Sequence, residues 1–169
     1  VGGGRSNTAS GTYSIVSSGC GNIASCSYAT IAGGEGNTAS ENCTTVGGGC
    51  GNTASERVAV VAGGKGNTAS NCYAAIGGGK TNTASAKYTT VAGGECNIAS
   101  GGCAFVGGGQ CNSGSAVFTT VGGGQKNKAK GAYSTVSGGY QNCTGTDTAS
   151  TVSGGYLNCA TGASSTIGG

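Results

Sequence analysis

Val46-Gly47-Gly48-Gly49-Cys50-Gly51-Asn52-Thr53-Ala54-Ser55-Glu56-Arg57-Val58-Ala59-Val60 is one period of a unit that this 169-residue chain repeats eleven times. The lead column reads Val1, Val16, Ile31, Val46, Val61, Ile76, Val91, Val106, Val121, Val136, Val152 and Ile167, a step of fifteen residues except one of sixteen before Val152. The fourth column is Gly in every full unit, from Gly4 to Gly155. The seventh is Asn: Asn7, Asn22, Asn37, Asn52, Asn67, Asn82, Asn97, Asn112, Asn127, Asn142 and Asn158. A fixed period of this size without helical spacing predicts a solenoid in which each unit is one turn touching only its neighbours. The expected fold is all-β, a parallel β-solenoid (β-helix or β-roll) of about eleven 15-residue coils, forming one domain over residues 1–169.

Composition limits what can hold such a chain together. It has one Leu, two Phe, no Trp, no Met and 39 Gly, so a thick core cannot be built. Each Gly adds roughly 0.5–1 kcal/mol of ordering entropy relative to Ala. A continuous hydrogen-bond ladder, disulfides and association with other chains are the remaining sources of stability. Disorder is disfavoured because Val, Gly and Asn keep register over so many units. Collagen is excluded, since Gly does not occupy every third position and Pro is absent. The net charge of +3 is scattered, which does not fit a nucleic-acid binder. No apolar run is long enough to insert in a membrane. The chain begins at Val1 inside the pattern and stops at Ile167-Gly168-Gly169. The expectation is a piece of a longer precursor, uncapped at both ends, or copies that stack end to end.

In Tyr88-Thr89-Thr90-Val91, strand alternation puts Thr89 and Val91 on one face and Tyr88 and Thr90 on the other. With Val inward, the residue two before it must be small, as in Ser14, Ala29, Thr44, Ala59, Ala74, Thr89 and Ala104. The Gly pair after Val, such as Gly93-Gly94, reads as a corner. A second short strand, most often Thr-Ala-Ser, follows the Asn and turns Ala inward. Ala9, Ala24, Ala39, Ala54, Ala69, Ala84 and Ala99 fill the core opposite the Val column. The Asn column either adopts a left-handed turn conformation or stacks its amides into a ladder. At about 4.8 Å per turn the rod is roughly 50 Å long.

Tyr13, Tyr28, Val58, Tyr73, Tyr88, Phe118 and Tyr133 form one outward column, interrupted by Cys43 and Cys103. Beside it run Thr30, Thr45, Thr90, Thr120, Thr135, Thr151 and Thr166. An exposed aromatic stripe is a partner surface. Tyr13, Tyr28, Tyr73, Tyr88, Phe118 and Tyr133 are therefore candidates for lateral self-association, for instance three coils around an axis, or for stacking on a glycan.

The ten cysteines test the register. Cys96 and Cys111 share a column one turn apart, as do Cys143 and Cys159 across the long unit. Stacked neighbours lie about 5 Å apart, within disulfide reach, and both pairs are expected to be staples. Cys20, Cys26, Cys43, Cys50, Cys72 and Cys103 do not pair so simply, and links between chains are open to them. An even cysteine count in a thinly cored chain points to an oxidising, extracellular setting. No metal site is expected, because His is absent and the cysteines form no paired knuckle. Lys80 and Glu95 sit one turn apart as a surface pair. Lys126, Lys128 and Lys130 read as a solvated corner. Asn42-Cys43-Thr44 and Asn142-Cys143-Thr144 match the glycosylation acceptor pattern.

Without His no Ser-His-Asp triad can form, and Glu35, Glu41, Glu56, Glu95 and Asp147 are spread over several turns. The Gly-rich corners lack the Gly-Lys-Ser/Thr ending of a phosphate loop. The expectation is a protein without catalysis or cofactor.

Stretches such as Tyr133-Ser134-Thr135-Val136-Ser137-Gly138-Gly139-Tyr140-Gln141-Asn142 and Val91-Ala92-Gly93-Gly94-Glu95-Cys96-Asn97-Ile98-Ala99-Ser100 resemble the head repeats of trimeric autotransporter adhesins and related trimeric phage and viral fibres. That resemblance implies a trimeric left-handed β-roll at a cell or particle surface, working as an adhesive head or fibre. The chain departs from the pattern in its Gly-Gly corners and ten cysteines. It is also similar to insect antifreeze β-helices. Thr8-Ala9-Ser10, Thr38-Ala39-Ser40, Thr53-Ala54-Ser55, Thr68-Ala69-Ser70 and Thr83-Ala84-Ser85 give an outward array of that kind, broken by Ile23, Ile98, Lys128 and Cys143. The favoured expectation is an extracellular, non-catalytic fibre or adhesive solenoid, with ice binding as the alternative and a surface receptor or glycan as further partners.

Overall fold

The computed structural model describes all residues, Val1–Gly169. It is all-β, with two parallel sheets of eleven two-residue strands each. One sheet takes the strands that follow the Asn, such as Thr83–Ala84; the other takes those that end in the lead column, such as Thr90–Val91. Every strand pairs with its counterpart one coil on, as in Thr83↔Ile98 and Val91↔Val106. Single bridges at the fifth column, Lys80↔Glu95 for example, continue the ladder along the corner between the sheets.

Hydrogen bonds run from coil to coil along most of each turn. Lys80, Thr83, Ser85, Thr90 and Ala92 donate their N–H groups to the carbonyls of Gly94, Asn97, Ala99, Ala104 and Val106 at 2.8–3.0 Å. The chain makes 99 backbone–backbone bonds, of which only 20 lie within the strands. The others extend the ladder beyond the two-residue strands into the turns, as from Thr81 N–H to Lys65 O and from Tyr88 N–H to Cys72 O, which is how so thin a solenoid satisfies many of its peptide groups.

Alternation places the core as expected. Val16, Ala24, Ala29, Ile31, Ala39 and their equivalents form one cluster of 22 buried residues. Thr44, Thr89 and Thr119 share the inward column with Ala and donate their hydroxyls to the carbonyls of Glu41, Ala86 and Ala116. Gly114 stands where most coils have Ala, and Thr119 Oγ1 fills the vacated volume.

The Asn column is part of this core, and of the two expected roles the structure takes the ladder. Asn82 is fully buried. Its Nδ2 donates to Gly78 O (2.9 Å) and to Gly94 O in the next coil (2.8 Å). Its Oδ1 accepts the Asn97 N–H (2.9 Å), and its own N–H goes to Asn67 Oδ1 (2.9 Å). The left-handed conformation belongs to the preceding residue instead, as at Thr81 (φ 53°) and Cys96 (φ 56°). Beside the amide, Gly94 has φ +85°, and a Cβ there would collide with the carbonyl oxygen of Gly109. Only Gly fits where two coils approach this closely.

Tyr88 is placed differently from the expectation. The strand is only Thr90–Val91, and Tyr88 lies in the turn before it at φ 59°. Equivalent turns are closed by bonds such as Ala104 N–H to Gly101 O (3.0 Å). The aromatic column is therefore the outer edge of a corner rather than part of a sheet face.

The sixteen-residue step is absorbed at the same corner. Thr135↔Thr151 and Cys143↔Cys159 keep their register on either side of it. Thr144 replaces Ala in the core, and its Oγ1 accepts the Lys130 N–H (3.0 Å).

Replacing Asn82 by Ala leaves the Gly78 carbonyl and the Asn97 N–H without partners and removes one of the two donors to the Gly94 carbonyl, which keeps the Lys80 N–H. A loss of about 2 kcal/mol or more follows from the two orphaned groups. Urea denaturation should show that loss for Asn82→Ala, while Thr83→Ala on the outer face stays close to the parent. Equal midpoints for the two variants would refute the structural role of the amide column.

Candidate functional site

Because the core is filled by constant columns, distinctive side chains are confined to two outer faces and two corners. The corner of the thirteenth column carries the expected aromatics. Tyr13 is 72% exposed and Tyr133 61%. They stack in pairs rather than in one continuous row: Tyr13 on Tyr28 (5.2 Å between centroids), Tyr73 on Tyr88 (5.0 Å) and Phe118 on Tyr133 (5.1 Å). Cys43, Val58 and Cys103 occupy the same φ-positive position between the pairs. Lys87 Nζ lies 5.5 Å from the Tyr88 ring centroid.

A fourth pair, Tyr140 and Tyr156 (5.4 Å), lies in the fifth column at the other corner. It escaped the sequence reading, although its sixteen-residue spacing matches that of Cys143 and Cys159 and would have exposed it.

On the first sheet, Thr38, Thr53, Thr68 and Thr83 stand in unbroken register over four coils. Ile23 and Ile98 flank that run, and Lys128 and Cys143 interrupt the column further on. The outward column of the second sheet is less uniform, with Val60, Ala75 and Phe105 among its threonines.

Cys143 and Cys159 are disulfide-bonded, with Cα atoms 4.6 Å apart. Cys96 and Cys111 are not, which corrects the second expected staple. Column spacing fixes the approach of the Cα atoms but not the direction of the thiols. Cys96 Sγ lies 3.2 Å from Thr81 Oγ1. Partial desolvation, then a hydrogen bond with Cys96, push the Cys111 thiol pKa up. Cys20, Cys26, Cys43, Cys50, Cys72 and Cys103 are also free, and Glu35 separates Cys20 from Cys50 in their shared column.

Of the two glycosylation patterns, Asn142 is buried with its amide bonded to Gly138 and Gly155, so only the exposed Asn42 can be reached in the folded chain. No group of three His, Cys, Asp or Glu side chains converges on one point. No helix is long and apolar enough to cross a membrane. No protein-family model matches the chain, and no curated protein matches it.

The fifth column also carries a run of polar contacts. Lys80 Nζ bonds Glu95 Oε1 at 2.9 Å. Gln110 Nε2 donates to Glu95 Oε2 (3.1 Å), and Gln125 donates to Gln110. The Lys80 hydrogen bond, followed by that of Gln110, holds the Glu95 carboxyl below its ordinary 4.5; the Glu95 hydrogen bond raises Lys80 above 10.5. The depressed carboxylate contributes above its ordinary pKa and loses that contribution as pH falls through its folded value. The raised ammonium contributes below its ordinary pKa and loses it as pH rises through its folded value. The pair is thus at full strength between those two ordinary values. An NMR titration should find Glu95 ionising below the usual glutamate range, and Lys80→Gln should move it upward. An unmoved midpoint would remove Lys80 as the main cause.

Proposed function

We propose that this protein is a non-catalytic, extracellular β-solenoid that builds fibres or adhesive surfaces by associating with copies of itself through its aromatic corner. The observation that carries this reading is the backbone conformation of that column. A left-handed φ costs a non-Gly residue about 1 kcal/mol or more, yet Tyr13, Tyr28, Tyr73, Tyr88, Phe118 and Tyr133 all adopt it at φ 56–60°. None of them fills the core. Gly would serve such a turn at lower cost, so large aromatic rings at an exposed edge indicate a use for the rings themselves. Stacked in pairs, they offer flat apolar area that a second rod can cover.

Further support comes from the Cys143–Cys159 disulfide, which suits an oxidising exterior. The resemblance to trimeric adhesin head repeats points the same way, toward a surface-displayed homo-oligomer, such as a trimer, that meets a receptor or glycan.

Sedimentation and negative-stain microscopy of the purified chain, with and without reductant, test the reading. Oligomers or fibres are expected, and Tyr73→Ser/Tyr88→Ser should disperse them. The stack itself is worth only about 1 kcal/mol, so the variant should keep its β signal. A chain that stays monomeric at high concentration would overturn self-association.

The second reading, ice binding, is favoured by one feature. Thr38/Ser40, Thr53/Ser55, Thr68/Ser70 and Thr83/Ser85 repeat on a regular sheet over four successive coils. Thermal hysteresis that is lost in Thr68→Tyr would support it, and none in the parent chain would exclude it.

A further inference from the structure

We propose that the coil carrying Lys126, Lys128 and Lys130 is a binding site for an acidic polysaccharide, a sugar chain bearing sulfate or carboxylate groups. The three ammonium groups belong to one turn. Lys128 and Lys130 flank the buried Ala129 and so point outward side by side, about 7 Å apart along the strand. Lys126 stands at the adjoining corner with φ 58°. Together with Cys111, Gln141, Cys143 and Leu157 they line an open depression of about 440 Å³.

None of these lysines is neutralised. The one salt bridge in the molecule is Lys80–Glu95. Beyond Cys96 the only acidic side chain is Asp147, an exposed residue of the corner that stacks over Gly131. The neighbours of Lys128 in the coils on either side are Ser113 and Cys143, both uncharged. Three like charges on one coil set up a local positive field that attracts an anionic ligand.

Two features select a sugar chain over a simple anion. The Tyr140–Tyr156 stack, with planes 7° apart, stands beside the depression, next in sequence to its lining residues Gln141 and Leu157, and Lys126 Nζ lies 5.9 Å from the Tyr140 ring centroid. Tyrosine rings beside ammonium groups suit a ligand that carries both apolar CH groups and anionic groups. The Cys143–Cys159 disulfide ties the wall of the depression to the next coil, so the site is held in place before binding. A nucleic acid is disfavoured because no Arg takes part and the positive charge spans a single coil rather than a track along the rod. This site adds a ligand to the proposed adhesive role, but it does not depend on self-association at the Tyr13–Tyr133 edge.

The test is calorimetric titration of the full chain with dextran sulfate, hyaluronate, neutral dextran and polyuridylate at several salt concentrations. Dextran sulfate should bind with an affinity that falls as salt rises, and neutral dextran should not bind. Lys126→Gln/Lys128→Gln/Lys130→Gln should weaken binding about tenfold or more and flatten its salt dependence, with an unchanged circular dichroism spectrum. Tyr140→Ser/Tyr156→Ser should weaken the polysaccharide while leaving the salt slope as it was. Lys65→Gln/Lys87→Gln, which removes two cations elsewhere, should change little. Equal losses in the two lysine variants would reduce the effect to net charge and overturn the site, as would tighter binding of polyuridylate than of either acidic polysaccharide. Sedimentation of the same samples reports self-association separately, so either proposal can fail alone.

Discussion

Each coil depends on one buried amide. An Asn side chain offers two donors and an acceptor, and in every interior coil all three are used. They join the turn to its own third-column carbonyl, to the fourth-column Gly of the next coil, and to the next Asn N–H. Asp would bury a charge and lose both donors; Gln would push the amide a bond too far to reach the same groups. The neighbouring Gly follows from the same constraint. With Gly94 at positive φ and no room for a Cβ against Gly109, its carbonyl turns toward the amide of Asn82. The chain therefore replaces a thick apolar core with a line of polar groups satisfied from coil to coil, and this explains how Val, Ile and Ala suffice as its apolar filling.

A solenoid held in this way restricts where anything individual can be placed. Inward positions must be small or amide-bearing, and strand positions must keep the pleat. The corners remain free in side chain, though not in backbone: besides the fourth-column Gly, two residues per coil adopt a left-handed conformation. One of them precedes the Asn; the other holds Tyr, Phe, Val or Cys up to Tyr133, and then Ala149 and Ser164. The aromatic rings meet their counterparts in adjacent coils because in-register stacking leaves a ring only the ring above or below as a neighbour. Where two aromatics follow each other they stack, and where Cys or Val intervenes the row is broken.

Much of this was legible in the sequence because a period written eleven times averages out local accidents. Val91, Thr89 and Ala99 could be assigned inward from alternation and size, and all are buried. Other features were less accessible. Asn is common both in left-handed turns and in ladders, so residue type alone could not say that Thr81 rather than Asn82 turns the chain. Tyr88 reads as a strand residue by propensity, and only the closed corner places it outside the strand. Cys96 and Cys111 occupy one column, as expected, but a shared column sets proximity and not a bond. The Asn142 acceptor pattern is a local match that burial annuls.

The irregular coil shows how such a repeat accommodates something particular. Its extra residue lies in the corner between Thr144 and Ser150, so both sheets cross it without losing register. The disturbance inside the coil is small: Thr144 takes the place of Ala and offers its hydroxyl oxygen to Lys130 N–H. The disulfide joins this coil to the next across a sequence separation of sixteen residues. The three lysines lie in the coil immediately before, and the Tyr140–Tyr156 stack spans the two coils the disulfide connects. A strictly periodic rod presents the same surface at every turn. Grouping an insertion, a covalent tie, a charge cluster and an aromatic stack within three adjacent coils breaks that sameness at one place along the rod, and the constant amide column beneath lets it do so without disturbing the fold.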